Sequence, residues 1–598
     1  GRFLEDVTQR HGDARALHFA GEDWSYTRLE REVRAFARGL VGVGAGKGTR
    51  VAILLSNRPE WVVACFGAGL VGAVPVPVNT FGTAFEIDGI LRHSDASLLV
   101  MQRDLLRHRY LEDLVSRHAE IAEADPGRIR CPALPSLRQI FTLGEAPAEG
   151  GVQRWEDLIA AGSDVSDPLL SDLAGAVEPV DDGLLIYTSG TGGAPRGVRQ
   201  HHGAILCNVA GAGEILIDDF GIDRDERFLS FLPLSHAYEH SGGQFLPIGV
   251  GAQIYYAEGL EKLASNIEET RPTIMVVVPR LFEVLRTRIM KQIQKQGGVA
   301  EKLMNTALEV AERRVADDPK FGDGLKDMAV GRLLRPKIRQ RFGGRIKAMV
   351  SGGAPLNPEV GVFFEAMGLT VLQGYGQTEA GPVISCNRPA AGIAMDTVGP
   401  AMRGVETRIA DDGEILVRGE LVMHGYWQND AETERTIKDG WLHTGDIGHI
   451  DDRGRIVITD RKKDMIVNDK GDNIAPQKVE GMLTLQPEIG QAMVVGDKKP
   501  YVVGLIVPDA EWTLEWCRAQ GKQFDCKQLQ ELPEYRNAVR AAVDRVNKDL
   551  SVVEKVRQFS FADEPFTIEN EEMTPSMKIR RHKIKDRYGE RLEKLYRA

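Results

Sequence analysis

Cysteine is scarce in this sequence, with six in 598 residues and none in a CxxC pair. That excludes a disulfide framework and a cysteine-rich zinc site, and it points to a reducing, cytoplasmic setting. Long apolar runs are also missing. The one charge-free stretch of membrane-like length, Trp61 to Val78, is broken by Pro75, Pro77 and three glycines, so a buried helix running into a strand is expected. No basic-then-apolar segment follows Gly1, which argues against secretion, and no short repeat marks a solenoid. Excess positive charge is absent as well: 75 lysines and arginines against 86 aspartates and glutamates leave a net charge of −11, unlike a general nucleic-acid binder.

What remains is a chain able to bury large cores. Apolar residues at 42% and charged residues at 27% are ordinary for a globular protein, and the length implies several lobes. Strand-like runs at Val51 to Leu55, Ser97 to Met101, Leu184 to Tyr187, Ile274 to Val278 and Ile346 to Val350 alternate with helix-length segments, the pattern of α/β units around largely parallel sheets. Between residues 271 and 342 long charged helices take over. Phe282, Leu285, Ile289 and Ile293 recur at three- and four-residue steps, as do Leu303, Ala307, Val310 and Ala311. These stripes read either as an amphipathic surface pair or as the lining for an extended apolar ligand. After Gly399 short strands and aspartate-glycine turns predict a small antiparallel subdomain. The charged stretch Asp460 to Asp464 is the expected linker to a compact C-terminal module. Residues 575–598 carry nine basic residues against three acidic, which suits a solvated helix or a face for an anionic ligand.

The densest chemical signal is the run Leu184 to Val198. A buried strand breaks into Thr188, Ser189, Gly190, Thr191 and Gly192, followed by Arg196. Short hydroxyls, glycines that expose backbone N–H groups, and one cation make a cradle for phosphate oxygens. It is not a Walker A loop, because Val198 and Arg199 follow Gly197 in place of Lys-Ser or Lys-Thr, and it does not satisfy GxGxxG.

This run resembles YTSGTTGxPKG, the phosphate-binding signature of the adenylate-forming superfamily of acyl-CoA synthetases, luciferases and peptide-synthetase adenylation domains. Gly192 stands where that family has a second threonine. Arg196 stands where it has lysine, keeping the charge as a planar fork. Further segments follow in the family's order. Gln373, Gly374, Tyr375, Gly376, Gln377, Thr378 and Glu379 resemble the adenylate motif. The resemblance implies that the Tyr375 ring packs on adenine, Thr378 meets the α-phosphate, and Glu379 with Thr188 holds Mg²⁺, tasks that suit an apolar ring, a hydroxyl and a hard carboxylate. Gly353, Ala354 and Pro355 match the loop bordering adenine. Asp446 matches the aspartate that takes both ribose hydroxyls, Arg461 the arginine near ribose and phosphate, and Lys463 the pivot between two domains. Thr574 to Arg581 resembles the C-terminal lysine motif, in which Lys578 is implied to neutralise charge on the reacting carboxylate and α-phosphate. Ser576 and Met577 before it give the form familiar among long-chain fatty acyl-CoA synthetases. His236 and Tyr238 fall in a segment similar to that beside the acyl pocket, and Lys470 and Gly471 in one similar to the loop that meets the pantetheine arm of CoA.

The resemblance implies an α/β fold with a large N-terminal domain, two α/β sheets layered with helices plus a small distorted β-barrel, and a small mobile α+β C-terminal domain. The expected limits are 1–460, with a helical insertion near 281–342 and the β subdomain near 397–460, and 461–598. It implies ATP-dependent ligation of a long-chain fatty acid to CoA through an acyl-adenylate, with Thr378, Glu379, Arg461 and Lys578 at the reaction and ATP, Mg²⁺ and CoA as its company. Two alternatives stay open: a fatty acyl-AMP ligase that loads a carrier protein, and an inactive adenylate-binding regulator. A cytoplasmic protein is expected. Weak contact of the basic tail with the inner membrane face, and the choice between monomer and homodimer, stay open too.

Overall fold

The computed structural model describes residues 1–105, 108–147, 150–188, 196–222, 225–315, 318, 320–574 and 578–597. Its apolar runs become strands where the sequence places them. Arg50–Leu54, Leu98–Gln102 and Gln139–Leu143, flanked by Val74–Pro77 and Val152–Arg154, form a five-stranded parallel sheet. The charge-poor stretch after Trp61 is the helix Pro59–Leu70, with every residue but Glu60 buried. Proline at its first turn needs no N–H there. At 12 residues it is ~18 Å long, short of a bilayer core, and no helix of the described residues is long and apolar enough to cross a membrane.

An eight-stranded sheet lies beside it, in the order Val383–Cys386, Val371–Gly376, Ala348–Ser351, Ile274–Val277, Arg227–Ser230, Gln253–Tyr256, Arg15–Phe19 and Glu22–Ser25. The strands from Val371–Gly376 to Arg15–Phe19 are parallel, and the outermost two pair antiparallel. Parallel strands bring their C-terminal ends to one edge, where ligands bind in open α/β sheets. Here that edge collects the loops after Ser230, Val277, Ser351 and Gly376, and with them His236, Gly353 and Glu379.

The helical insertion runs through Pro279–Gln296, Gly298–Val315, Asp323–Leu333 and Arg335–Arg341. Its apolar stripes are spent on packing. Phe282, Ile289, Ile293, Ala307 and Val310 join one core with Phe342, Phe363, Phe364 and Met349, and Leu285, Leu303 and Ala311 pack against it. That favours the amphipathic reading over a tunnel lining, because the stripe faces the sheet and the helix Pro358–Ala366.

The small β subdomain is a five-stranded antiparallel sheet of Glu406–Ile409, Glu414–Arg418, Trp441–Ile450, Ile437–Lys438 and Ile456–Arg461, bent by bulges at Glu414/Leu416 and Ile447/Gly448. Beyond it, strands Ile489–Val495, Val502–Pro508 and Val556–Phe561 form a sheet buried on both faces. Val502 and Ile506 enter a core with helix Pro533–Asp549, while Val503, Leu505 and Val507 enter one with Ile584, Tyr588 and Leu592 of helix Arg581–Lys594. The near-continuous Val-Val-Gly-Leu-Ile-Val run is the expected composition of a strand covered on both sides. The whole is a mixed α/β protein with a large N-terminal part and a smaller C-terminal one.

Candidate active site

Asp446 anchors the site. It lies in the strand Trp441–Ile450, directly opposite Arg461 in the antiparallel register, and is 4% exposed. A buried carboxylate is costly without partners, and Asp446 has two: the Tyr375 hydroxyl donates to Oδ2 at 2.7 Å, and Arg461 Nε donates to Oδ1 at 2.9 Å. Tyr375, 71 residues away in sequence, is carried by Val371–Gly376. Burial and the neighbouring carboxylate push its hydroxyl well above its ordinary range, so it stays a neutral donor.

A second group forms around Glu379, in the short turn after that strand. The Tyr426 hydroxyl donates to its Oε1 at 2.8 Å, and Arg196 lies 3.7 Å from the same oxygen. Arg196 stacks over the Tyr426 ring at 4.6 Å and pairs with Glu432 at 2.8 Å. Thr378 is tied in through its carbonyl, which accepts from Gln200 Nε2 at 2.7 Å. The phosphate-loop cation's strand and the adenylate motif therefore meet across about 180 residues of sequence, as in the Gln200–Thr378 bond at a separation of 178. Ser189, Gly190, Thr191 and Gly192 lie outside the described residues, as do Ser576 and Met577.

Four polar atoms on these elements are buried with no hydrogen-bond partner among the described residues: Thr188 Oγ1, Ser351 Oγ, Gln373 Oε1 and Gln377 Nε2. Such orphans cost roughly 1–3 kcal/mol each, and they come from the residues bordering Tyr375 and Glu379. The Glu379 carboxylate, 3.7 Å from Arg196, and the Thr188 hydroxyl on the strand paired in register with Arg196 are ligand types that suit Mg²⁺, which usually takes one or two carboxylates and completes its shell with phosphates and water.

Lys578 arrives from the C-terminal part. Its backbone closes a small loop with Thr574, the Lys578 N–H donating to Thr574 Oγ1 at 3.0 Å and Thr574 N–H to the Lys578 carbonyl at 2.8 Å. Its side chain is half-buried, among the charges of Arg461, Asp446, Asp464 and Glu379. Burial first, and Arg461 next, lower its ammonium to about 8, against the pull of the three carboxylates. Lys578 also faces His236, whose imidazole is driven down to about 4 by burial and by that ammonium. His236 is therefore neutral at pH 7.

Two residues after His236, the Tyr238 hydroxyl bridges two strand ends, donating to the Val350 carbonyl at 2.8 Å with Val277 O at 3.4 Å. Gly352 allows this: a Cβ there would stand 2.7 Å from the Tyr238 ring. Gly353 follows with φ +81°, a backbone state that favours glycine, while Ala354 is half-buried and Pro355 exposed.

Lys463, Lys470 and Gly471 are exposed in turns, and the structure joins none of them to the Tyr375–Asp446 group. The Lys470 turn is closed by Asn468 Oδ1, which accepts from the N–H groups of Lys470 and Asp472. Of the tail's cations, Arg580 pairs with Glu86, Arg581 with Glu480, Lys583 with Glu571, Arg587 with Glu564 and Arg591 with Asp563, so most of that charge is neutralised within the fold. Sequence reasoning missed Tyr426, Glu432 and Asp464. No local pattern marks Tyr426 or Glu432, while Asp464 sits in the charged linker and is separated from its role only by knowing where Lys578 goes.

The chain is similar to known proteins over most of its length. A sequence profile of the AMP-binding enzyme family matches residues 4–427, and one of the AMP-binding enzyme C-terminal domain matches 463–598. The chain is 32% identical over 581 residues to the long-chain-fatty-acid–CoA ligase FadD15 of Mycobacterium bovis, covering 96% of this chain and 92% of that one. It is 30% identical to the peroxisomal long chain acyl-CoA synthetase 6 of Arabidopsis thaliana, covering 94% and 80%. In fold it is similar to the A domain of a carboxylic acid reductase from Segniliparus rugosus solved with AMP and a co-purified carboxylic acid, with a TM-score of 0.75, 21% identity and coverage of 99% and 93%.

Proposed function

The chain belongs to the AMP-binding enzyme family, and from that premise we propose that it joins a long-chain fatty acid to CoA in two steps at one site. In the first, an oxygen of the acid's carboxylate attacks the α-phosphorus of ATP and pyrophosphate leaves, giving an acyl-adenylate. In the second, the CoA thiolate attacks the acyl carbonyl carbon and AMP leaves. The observation that carries this reading is Lys578, a half-buried lysine from the C-terminal part set among the charges of Asp446, Arg461 and Glu379.

Each residue then has a task its chemistry permits. Asp446 has two carboxylate oxygens for the ribose hydroxyls, with Tyr375 packed on adenine and Arg461 beside the phosphate. Arg196 and Thr378 offer donors to phosphate oxygens. Glu379 and Thr188 would hold Mg²⁺, which offsets phosphate charge when bound. Lys578 lowers the repulsion between two anions that must touch, a charge-compensation role that needs no side-chain nucleophile. His236 and Tyr238 line the acyl entrance. The split at residues 460 and 461, a pivot at Lys463 and a meeting of Lys470 and Gly471 with CoA belong to the same proposal, as do a cytoplasmic location and either a monomer or a homodimer. The paired state of the basic tail gives no support to a membrane role for it.

Mass spectrometry of a mixture of ATP, CoA and a panel of acids tests the reading. Long-chain acyl-CoA, AMP and pyrophosphate are expected. Best turnover of acetate or an aromatic acid would contradict the substrate class, and pyrophosphate without thioester would contradict CoA as acceptor.

A further inference from the structure

Beyond His236 the chain changes form. The short helix Ala237–Glu239 runs directly into a π-helical turn, His240–Phe245, a feature frequent at functional sites. Gly242 faces the strand Ile274–Val277, where an added Cβ would stand 3.2 Å from Val276 Cγ2, and the His240 ring meets Trp61 at 5.2 Å. Around this turn eight polar side-chain atoms are buried with no hydrogen-bond partner among the described residues: Trp61 Nε1, Glu239 Oε2, His240 Nδ1 and Nε2, Ser241 Oγ, Gln244 Oε1 and Nε2, and the Tyr256 hydroxyl. Trp61 and Gln244 are 0% exposed, Ser241 and Tyr256 6%. At roughly 1–3 kcal/mol for each orphan, such a group amid Phe66, Phe245 and Ile248 is not what core packing alone selects.

The ionisable neighbours are neutral at pH 7. Burial pushes Glu239 up to about 8, although the Ser230 hydroxyl donates to it at 2.6 Å, and pushes His240 down to about 3. The chemistry of these unpartnered donors and acceptors therefore suits a neutral oxygen, not an ion.

We propose that the π turn and its neighbours Trp61 and Tyr256 form a binding site for a hydroxyl or keto oxygen on the acid's hydrocarbon chain, making an oxygenated fatty acid the preferred substrate. This rests on the acid-activation reading above. The placement suits it: His236 adjoins Lys578, and His240 to Gln244 follow four to eight residues later, roughly 6–12 Å at ~1.5 Å per helical residue. That is partway along a chain whose carboxylate is at Lys578. Buried water offers the same hydrogen-bonding chemistry, and the test separates the two.

Titration calorimetry on the intact protein, with stearate and its mid-chain hydroxy and keto derivatives, reads the site without turnover. The oxygenated acids are expected to bind about tenfold or more tightly, because a site built to bond an oxygen penalises its absence. Gln244→Leu should abolish the preference while leaving stearate binding unchanged or stronger. Ser241→Ala, a smaller change, should reduce the preference and serves if the first variant does not fold. Equal or tighter binding of stearate by the unaltered protein, or an equal loss for all acids in both variants, would overturn the proposal. Acid binding without pyrophosphate or thioester would contradict the activation reading and leave the oxygen site standing.

Discussion

Asp446 and Lys578 face one site but are held by opposite means. Asp446 sits mid-strand, bonded by Tyr375 and Arg461, with its own N–H bonded to Thr444 Oγ1 at 3.1 Å. The Lys578 ammonium makes no hydrogen bond or ion pair among the described residues, and it depends on how the C-terminal part docks. That docking is mostly polar: Arg580 to Glu86 at 3.1 Å, Arg280 to the Gly490 carbonyl at 2.8 Å, Lys291 to Glu511, and the partly buried Leu485. Polar contacts of this kind hold domains weakly. The comparison teaches a difference in support: one wall is fixed by the strands, and the cation beside it is held only through the docking of the C-terminal part.

After loss of Lys578 itself, the largest effect should come from breaking the fixed wall. Asp446→Ala should lower kcat/KM for ATP by about 10- to 100-fold, from ~1.5–3 kcal/mol for hydrogen bonds to a charged group. It should also slow thioester formation from supplied acyl-AMP, because both steps use the same adenosine pocket. A loss confined to one step would assign Asp446 to the delivered side.

Acidity separates the two sides next. Lys578 is lowered from its ordinary value to about 8, so its charge is present below that pH and lost as pH rises through it. The kcat/KM of acyl-adenylate formation should fall about tenfold per pH unit above 8, following the free enzyme. Lys578→Arg should remove that fall whatever its effect on rate, since arginine stays charged. A pH profile flat to pH 9.5 or so would place another group at the reaction.

Tyr426→Phe deletes one net hydrogen bond to Glu379, about 0.5–1.5 kcal/mol, and should raise the Mg²⁺ requirement roughly three- to tenfold. An unchanged Mg²⁺ titration would remove this pair from the metal site. Smallest of all, Glu86→Ala breaks the docking contact with Arg580. As a partly exposed ion pair worth ~0.2–1 kcal/mol, it should shift the ratio of the two half-reactions less than about fivefold, in favour of the second.

The same contrast explains what was legible in the sequence. Strands such as Ile274–Val277 and Leu98–Gln102 announce themselves as short apolar runs, and the fixed-wall residues lie in motifs of recognisable composition. The partners do not: Arg196 and Glu432 are 236 residues apart, and nothing near either predicts the other. Asp446 reads as part of a turn because glycine precedes it, yet Gly445 at φ +71° bends a ten-residue strand without ending it. The π turn was invisible because Ser-Gly-Gly-Gln has neither helical nor strand periodicity. Its backbone spacing follows from packing Gly242 on Val276 and His240 on Trp61.

The central claim, that a delivered lysine serves the first step and not the second, is tested most directly by single-turnover kinetics of Lys578→Ala. Acyl-adenylate formation from ATP and fatty acid should fall about 10²- to 10³-fold, the scale for losing one electrostatic stabiliser, while conversion of supplied acyl-AMP to thioester stays within about threefold of the unaltered protein. Equal losses in the two steps would contradict the account.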